Sequence, residues 1–529
     1  MSLTDTSNPT VMGSQLNGEA PATVSTTVTG EERQIAIRLT TKDAPYEIPA
    51  TKFLVPGSWR RFHLSQLINK VLNKEGQSAK PSSFVIDGRC ANPGAAPTGV
   101  EFQESTPFDF LINQTLLRSS LGAYCARSGV SEEVTLEIEY LPSTLPPQLE
   151  STIPSQDWVS DISLGVNGTI LTSSYAGTLS CFSTLDPSSS ITFHGHDLSV
   201  LSCCYVHNPA GHSSLRTESG WVASGGMDRV ARVSYRLGNI VQASSTSLMN
   251  PTPSAEAIAP STLYTLSLHT SPVSSIRARP FPSSSTEAMA APHLLTGGWD
   301  GVVGVWDLTK GVNEGDAIED DGQERTKKRR RAAPGTVINK TPVSALLGHT
   351  GKISRAIFSS SFSTSSQAYS TSFDHTLRTW DLSTAQLLTT RTAPSSSVLL
   401  DLAQLSQSTN LLITGSMDRS IGVWDTREEA SSHISISLTG HAGPVSSVVG
   451  HPKESLLIAS GSYDSTVKIW DARSPRQALF NLDMPTEEGE EKKVRVLALD
   501  WDGERLVAAG EGAKVAVWRV SGSKGVQAH

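Results

Sequence analysis

The sequence predicts a mainly β protein: a β-propeller of seven blades behind a smaller α+β domain. Two observations carry this. A motif with Asp followed six residues later by Trp-Asp recurs, ending at Trp306, Trp380, Trp424 and Trp470, and the last two of its spacings, 44 and 46 residues, approach the period of about 40 to 45 expected of a blade. Ahead of it, residues 33–140 alternate apolar and polar positions in short runs around one stretch of helical spacing.

Residues 1–32 are mostly Ser, Thr, Asn, Pro and Gly and read as a disordered tail. Gln34 to Leu39 alternates as a strand, and Tyr46 to Val55 offers a second across a turn. His63 to Leu72 places Leu64, Leu67, Ile68, Val71 and Leu72 on one helical face, an apolar stripe suited to cover a sheet. A Pro/Gly/Ala-rich insert fills residues 76–105. Beyond it, Phe108 to Ile112 and Leu116-Leu117 read as strands, Ser120 to Arg127 as a short helix, and Val134 to Tyr140 as a final alternating strand. The order ββ, helix, ββ, short helix, β resembles the ubiquitin-like β-grasp. No Gly-Gly follows Tyr140, so residues 33–140 are an embedded recognition domain and not a conjugatable tag.

Residues 141–156 form a linker and closing strand, residues 157–520 a WD40 propeller, and residues 521–529 a tail. Ser372 to Asp381, Ser416 to Asp425, Ser462 to Asp471 and Gly298 to Asp307 are four copies of one unit, with Asp374, Asp418, Asp464 and Asp300 at its turn. Gly-His pairs ending at His196, His349 and His441 precede their aspartates as a WD unit requires. Three units are degenerate: Ala176 and Phe182 replace Asp and Trp in the first, Ser234 replaces Trp after Asp228, and Gly512 replaces Asp before Trp518. The unit ending at Trp424 lacks its Gly-His. The seven units end near residues 182, 234, 306, 380, 424, 470 and 518. The stretch leading into Asp157-Trp158-Val159 is expected to complete the last blade and remove the open edges. Residues 236–262 and 310–341 read as long loops between blades, the second running from acidic to basic.

Lys plus Arg is 43 against 51 Asp plus Glu, a net charge of −8, so no global positive field exists to hold nucleic acid. The five cysteines are scattered without a C-x-x-C pair, which argues for buried thiols in a reducing compartment rather than a zinc site or disulfide scaffold. Residues 1–32 contain no Lys or Arg, so neither a secretory signal nor a transit peptide is expected. No apolar run reaches the 18 or so residues of a membrane span. These features together predict a soluble intracellular protein.

The repeated Ser, His and Asp invite a hydrolase reading, but a catalytic triad occurs once in one pocket, whereas these residues recur blade after blade. A buried His-Asp-Ser/Thr-Trp hydrogen-bond chain is the simpler account, and no nucleophile elbow, P-loop or metal-ligand cluster accompanies it. Lys327, Lys328, Arg329, Arg330 and Arg331 form a basic run that reads as a nuclear import signal or as a solvated linker. Trp424-Asp-Thr-Arg427 and Trp470-Asp-Ala-Arg473 fit the WD-x-Arg motif by which some propellers dock on a cullin-RING ligase adaptor.

A ubiquitin-like domain followed directly by a seven-bladed propeller resembles one family: the WD-repeat ribosome-biogenesis factors of the PeBoW complex, which also contains pescadillo and the block-of-proliferation protein. The likeness is carried by Pro107 to Ile112, Leu116 to Leu121, Gly129 to Glu133, Glu139-Tyr140, Leu145-Pro-Pro147 and Asp157 to Ser160. The resemblance implies a non-enzymatic assembly factor of the large ribosomal subunit, acting in the nucleolus and nucleoplasm on precursor rRNA processing and the pre-60S particle. It further implies that the propeller binds the block-of-proliferation protein and that the ubiquitin-like domain binds the MIDAS domain of the AAA ATPase midasin, which then removes the factor. The family's metal-contacting glutamate maps to Glu133, with Glu132 as its rival and Val130 in place of the family's Leu. A carboxylate in trans suits the open octahedral position of a MIDAS-held Mg²⁺; no cofactor of the chain's own is implied. The alternative is a substrate receptor of a cullin-RING ligase.

Overall fold

The structure, a computed structural model, describes residues 34–42, 46–49, 51–78, 106–130, 134–165, 168–184, 190–207, 220–235, 262–279, 293–308, 337–360, 366–394, 396–405, 410–428, 434, 436–454, 456–486 and 494–520. The amino-terminal domain contains β1 (Gln34–Thr40), β2 (Lys52–Pro56), α1 (Arg61–Ser78), β3 (Phe108–Ile112), β4 (Thr115–Leu116), α2 (Leu121–Ser128) and β5 (Leu136–Pro142). Its sheet has the order β2-β1-β5-β3-β4, with β1 and β5 parallel and the other pairs antiparallel, the β-grasp arrangement. Leu64 and Ile68 of α1 are fully buried against Ile35, Ile37, Phe110 and Ile138, as the helical stripe requires. Tyr140 donates to the carbonyl of Tyr46 and ties the last strand to the segment before β2.

Two local expectations change. The strand expected from Tyr46 begins only at Lys52, because Pro49 has no N–H to give a ladder and its carbonyl instead closes a turn onto the N–H of Thr51. β4 ends at Leu116, after a tight hairpin in which Asn113 and Gln114 both have positive φ (49° and 60°), as a type I′ turn needs.

The rest of the described chain forms seven sheets arranged as a closed ring. The inner strands are Val159–Gly165, Val200–His207, Val273–Ala278, Ile353–Phe358, Leu399–Gln404, Val445–Gly450 and Val496–Trp501, and each neighbours the next, the last returning to the first. Each sheet is antiparallel through its first four strands, a mainly β architecture of seven WD40 blades. The seventh blade is completed by β6 (Gln148–Pro154), which pairs with Lys514–Arg519 and buries Ile153 beside Val507 and Val515. This gives the seventh blade its fourth strand, as in the others.

The gaps between blades are shorter than the sequence suggested. Thr262 already begins the strand Thr262–Leu266, and Ile338–Lys340 adds a parallel fifth strand beside it, so the second gap ends before Thr341. Lys340 holds this strand in place: its ammonium donates to the carbonyls of Asp307 and Leu308 and lies 4.5 Å from the centre of the Tyr264 ring. The rest of both gaps lies outside the described residues. Cys125, Cys181, Cys203 and Cys204 are buried thiols outside any disulfide, and burial pushes Cys204 up to about 12, which leaves it unreactive at neutral pH. Cys90 lies outside the described residues.

The blades are joined at the centre by a circle of polar links. Asp161 accepts from the N–H of Cys203, Ser202 from Ile276, Ser275 from Ala356, Asp401 from Val448, Ser447 from Leu499, and Asp500 from Leu164. The remaining link, between the fourth and fifth blades, is the ion pair of Arg355 Nε with Asp401 at 2.5 Å. Arg277 and Arg355 both converge on Asp161, at 2.9 Å and 3.2 Å. Burial alone would raise the Asp161 pKa, but the two guanidinium groups outweigh it and hold the carboxyl well below the usual carboxylate range.

Replacing Asp161 by Asn is therefore expected to leave two largely buried guanidinium groups without their shared counter-charge, at a cost of about 3–5 kcal/mol. A lowered denaturant midpoint measures this; Asp157→Asn, at an exposed turn, is the control expected to stay within about 0.5 kcal/mol.

Candidate functional site

The repeated WD-unit residues form hydrogen-bond chains running across the second, third, fourth and sixth blades. In the fourth blade, Trp380 Nε1 donates to Ser370 Oγ (2.7 Å), Ser370 Oγ meets His349 Nε2 (2.8 Å), and His349 Nδ1 meets Asp374 (2.8 Å). The sixth blade repeats this with Trp470, Ser460, His441 and Asp464 at 2.8, 2.8 and 2.9 Å. In the third, Trp306, Thr296, His269 and Asp300 form the same chain at 2.9, 2.8 and 3.1 Å. The second blade has His196, Ser224 and Asp228 without a tryptophan, and Arg232 donates to Asp228 at 3.0 Å.

His269 is the member that a search for Gly-His pairs misses, because Leu268 precedes it; the signal that finds it is its place four residues before the inner strand, shared with His196, His349 and His441. In the fifth blade, that place falls on Ser395, outside the described residues; Trp424 still donates to Thr414 (2.9 Å), and Asp418 caps its own turn by accepting from Ser420. Trp518 packs among Leu499, Leu506 and Met484.

This chemistry is structural. Ser370, Ser460 and Thr296 are fully buried, so no substrate reaches the hydroxyls. Each hydroxyl receives the Trp N–H and gives its own proton to Nε2, which fixes the proton of a neutral imidazole on Nδ1, facing the carboxylate. Burial accordingly lowers the pKa of His349, against the pull of Asp374. For Asp374, burial raises the pKa, but hydrogen bonds from Thr376 and His349 prevail and bring it from 3.8 down to about 2.

The same turns build one face of the ring. After the second strand of each blade comes a turn whose residues with positive φ are Gly177, Arg229, Gly301, His375, Arg419, Ser465 and Ala513. Two positions earlier stand Tyr175, Met227, Trp299, Phe373, Met417, Tyr463 and Glu511, each donating its N–H to the carbonyl of the residue just before its inner strand. Six of these seven are apolar or aromatic. Tyr175, Phe373 and Met417 are 38%, 43% and 52% exposed, and Trp158, 46% exposed, meets Tyr175 edge to face at 6.2 Å. Lys352 lies 4.0 Å over Trp299, and Arg495 lies 5.2 Å over Tyr463. Aromatic side chains with cationic neighbours, presented around one rim, form a surface suited to a protein partner. Sequence inspection did not separate these residues from the rest of each repeat.

The other sequence-derived candidates are distributed differently. In the amino-terminal domain, Ser120 caps α2 by accepting from the N–H of Ala123, and Gly129 (φ 66°) ends the helix in the left-handed region. Val130 donates to the carbonyl of Cys125 and packs against the domain core, an anchoring role that Val fills as Leu would. Glu132 and Glu133 follow directly and lie outside the described residues, as do Lys327, Lys328, Arg329, Arg330 and Arg331. Arg427 and Arg473 each fold back on the aspartate of their own motif, Asp425 at 2.5 Å and Asp471 at 2.7 Å. Among the described residues no cluster of three His, Cys, Asp or Glu is placed to hold a metal, and no helix is long and apolar enough to cross a membrane.

Ser370→Ala orphans both His349 Nε2 and Trp380 Nε1, whereas Thr414→Val orphans Trp424 alone; the first is expected to cost about 1–3 kcal/mol and more than the second, by denaturant unfolding. Acid acts in the same sense. Asp374 has a depressed folded pKa, so its contribution is present above about pH 4 and fades as pH falls toward 2. His349 is also depressed, so its contribution begins to fall below the unfolded value near 6.5. Buried Asp500, with a raised pKa, opposes them. In Ser370→Ala, the thermal midpoint is expected to depend less steeply on pH between 6.5 and 4 than in wild type.

The NLE (NUC135) domain family matches residues 35–90, and the WD domain, G-beta repeat family matches residues 260–307, 385–425 and 433–471. Among full-length relatives, "Ribosome biogenesis protein YTM1" of Laccaria bicolor is 33% identical over 489 residues, covering 91% of this chain and 93% of that protein. Its namesakes in Coprinopsis cinerea and Saccharomyces cerevisiae are 34% and 30% identical, over 90% and 93% of this chain and 93% and 98% of their own lengths. Since the likeness runs through both domains, the chain belongs to the YTM1 family of ribosome biogenesis proteins and has a role in ribosome biogenesis.

Proposed function

We propose that this protein is a non-enzymatic assembly factor of the large ribosomal subunit, acting on the pre-60S particle in the nucleolus and nucleoplasm. In this reading the propeller binds the block-of-proliferation protein, which brings pescadillo with it. The ubiquitin-like domain presents Glu133 to the MIDAS domain of midasin, completing the coordination of an Mg²⁺ that the partner holds, and midasin then draws the factor off the particle. Lys327 to Arg331 serve nuclear import. The observation that carries the reading is the end-to-end similarity to YTM1 relatives across both an NLE-type domain and the propeller. The aromatic rim adds support, because it offers a protein partner a broad surface on one face.

The ligase-receptor alternative rests on Arg427 and Arg473. Their guanidinium groups are engaged with Asp425 and Asp471 inside their own turns, which favours a local structural role. Purification of the tagged full-length protein separates the two readings. Pescadillo, the block-of-proliferation protein and large-subunit precursors are expected; a cullin and its adaptor in their place would overturn the assignment.

Glu133→Ala in the full-length protein is expected to abolish binding to a midasin MIDAS domain in Mg²⁺, as EDTA does for wild type, while its stability stays within about 0.5 kcal/mol. Loss of binding in Glu132→Ala instead, with Glu133→Ala unaffected, would move the role to the neighbouring carboxylate.

A further inference from the structure

Where the amino-terminal domain meets the propeller, a cleft of about 410 Å³ lies between the β4–α2 segment and the outer edge of the sixth blade. Its walls bring together Arg118 and Arg127 from the first domain with Lys468 and Arg476 from the blade, and among the described residues they contain no carboxylate. Arg118 donates to the carbonyls of Ala478 and Leu479 at 2.7 and 3.0 Å, and Lys468 to the carbonyl of Gly440 at 2.6 Å. Those carbonyls orient the side chains without neutralising them. Arg127 and Arg476 are exposed, and among the described residues none of the four cations enters an ion pair.

This grouping is unexpected on a chain of net charge −8. Like charges gathered from two domains repel one another, whereas at the propeller's centre Asp161 answers the paired cations Arg277 and Arg355. Among the described residues, no carboxylate pairs with this cluster. Three of the four groups are guanidinium forks, suited to bidentate contact with phosphate oxygens. Apolar side chains are few, chiefly Leu116 and the largely buried Trp470, so the cleft offers little to anchor the side chains of a peptide.

We propose that this interdomain cleft binds the phosphodiester backbone of RNA. Contact is with phosphate and not with bases, so it is independent of sequence and strongly dependent on salt. It places a local RNA contact on a protein whose overall charge argues against one, and it engages both domains at once. The proposal does not depend on Glu133 or on midasin.

The test uses full-length protein and a fluorescein-labelled 15-nucleotide uridine RNA, followed by anisotropy between 50 and 200 mM salt. The double variant Arg127→Glu/Arg476→Glu leaves Arg118 in place to hold the domains together, and an unchanged thermal melt confirms its fold. Expected are a loss of affinity of at least about tenfold and a salt slope shallower by about 1.4, two contacts at about 0.7 each. Unlabelled polyglutamate is expected not to compete. Absence of RNA binding by wild type, or equal affinity and slope in the double variant, would overturn the proposal. So would polyglutamate displacing the RNA from wild type at lower concentration than RNA itself, an outcome that would assign the cleft to an acidic protein segment.

Discussion

Ring closure is the constraint on which the rest depends. A sheet-built blade has edges and a hydrophobic face that it cannot cover alone, so each blade is stable only between two neighbours, and the last must return to the first. The chain meets this in two ways. At the rim, β6 supplies the outer strand of the seventh blade and joins the two ends of the propeller segment in one sheet. At the centre, short polar side chains on one inner strand accept N–H groups from the next, and the Arg355–Asp401 pair completes the circle. Buried charges normally detract from stability because of desolvation. They are tolerated here because Asp161 meets Arg277 and Arg355 together, so one carboxylate answers two cations around the channel.

The His-Asp-Ser/Thr-Trp chains act in the perpendicular direction. Each holds the segment before an inner strand, the following turn and a tryptophan of the third strand in fixed relation within one blade. Circumferential links thus set the ring, and radial chains set the turns on its face. Rigid turns make the rim residues a usable surface: Tyr175, Trp299, Phe373 and Tyr463 are held by equivalent backbone bonds and so project from equivalent points. The fold can lose a chain in one blade without losing the turn, since Asp418 still caps its own turn and Trp424 still reaches Thr414.

What was legible in the sequence was what repeats at close range. The Asp-to-Trp spacing gave the units, and the β-grasp order followed from alternation and from the apolar stripe on α1. His269 escaped because its neighbour is Leu268, although its distance from the inner strand matches the other histidines. The central circle escaped for a different reason: Ser202, Ser275 and Ser447 look like any serine in a strand, and their partners stand in the next blade, far along the chain. Pro49 and the Ile338–Lys340 strand show the same limit at element ends, where one missing N–H or one buried lysine decides pairing. The cleft beside Arg118 was least legible of all, since its walls come from segments some 350 residues apart.

That junction bears on how the two domains work as one molecule. Only residues 143–147 separate β5 from β6, so the amino-terminal domain is attached directly to the strand that closes the ring. Among the described residues, the domains are joined by the covalent link into β6 and by the bonds from Arg118 to the sixth blade. The Arg118 bonds end on the backbone carbonyls of Ala478 and Leu479, just ahead of the sixth blade's outer strand Phe480–Asp483. They are few and exposed, and so yield before the ladder between β6 and Lys514–Arg519. A pull on the amino-terminal domain would then separate the domains first and spread the cleft, and only afterwards bear on ring closure. Attachment at the closing strand makes the first domain a point from which force reaches the element most critical to the propeller, without either domain needing to unfold for the other to feel it.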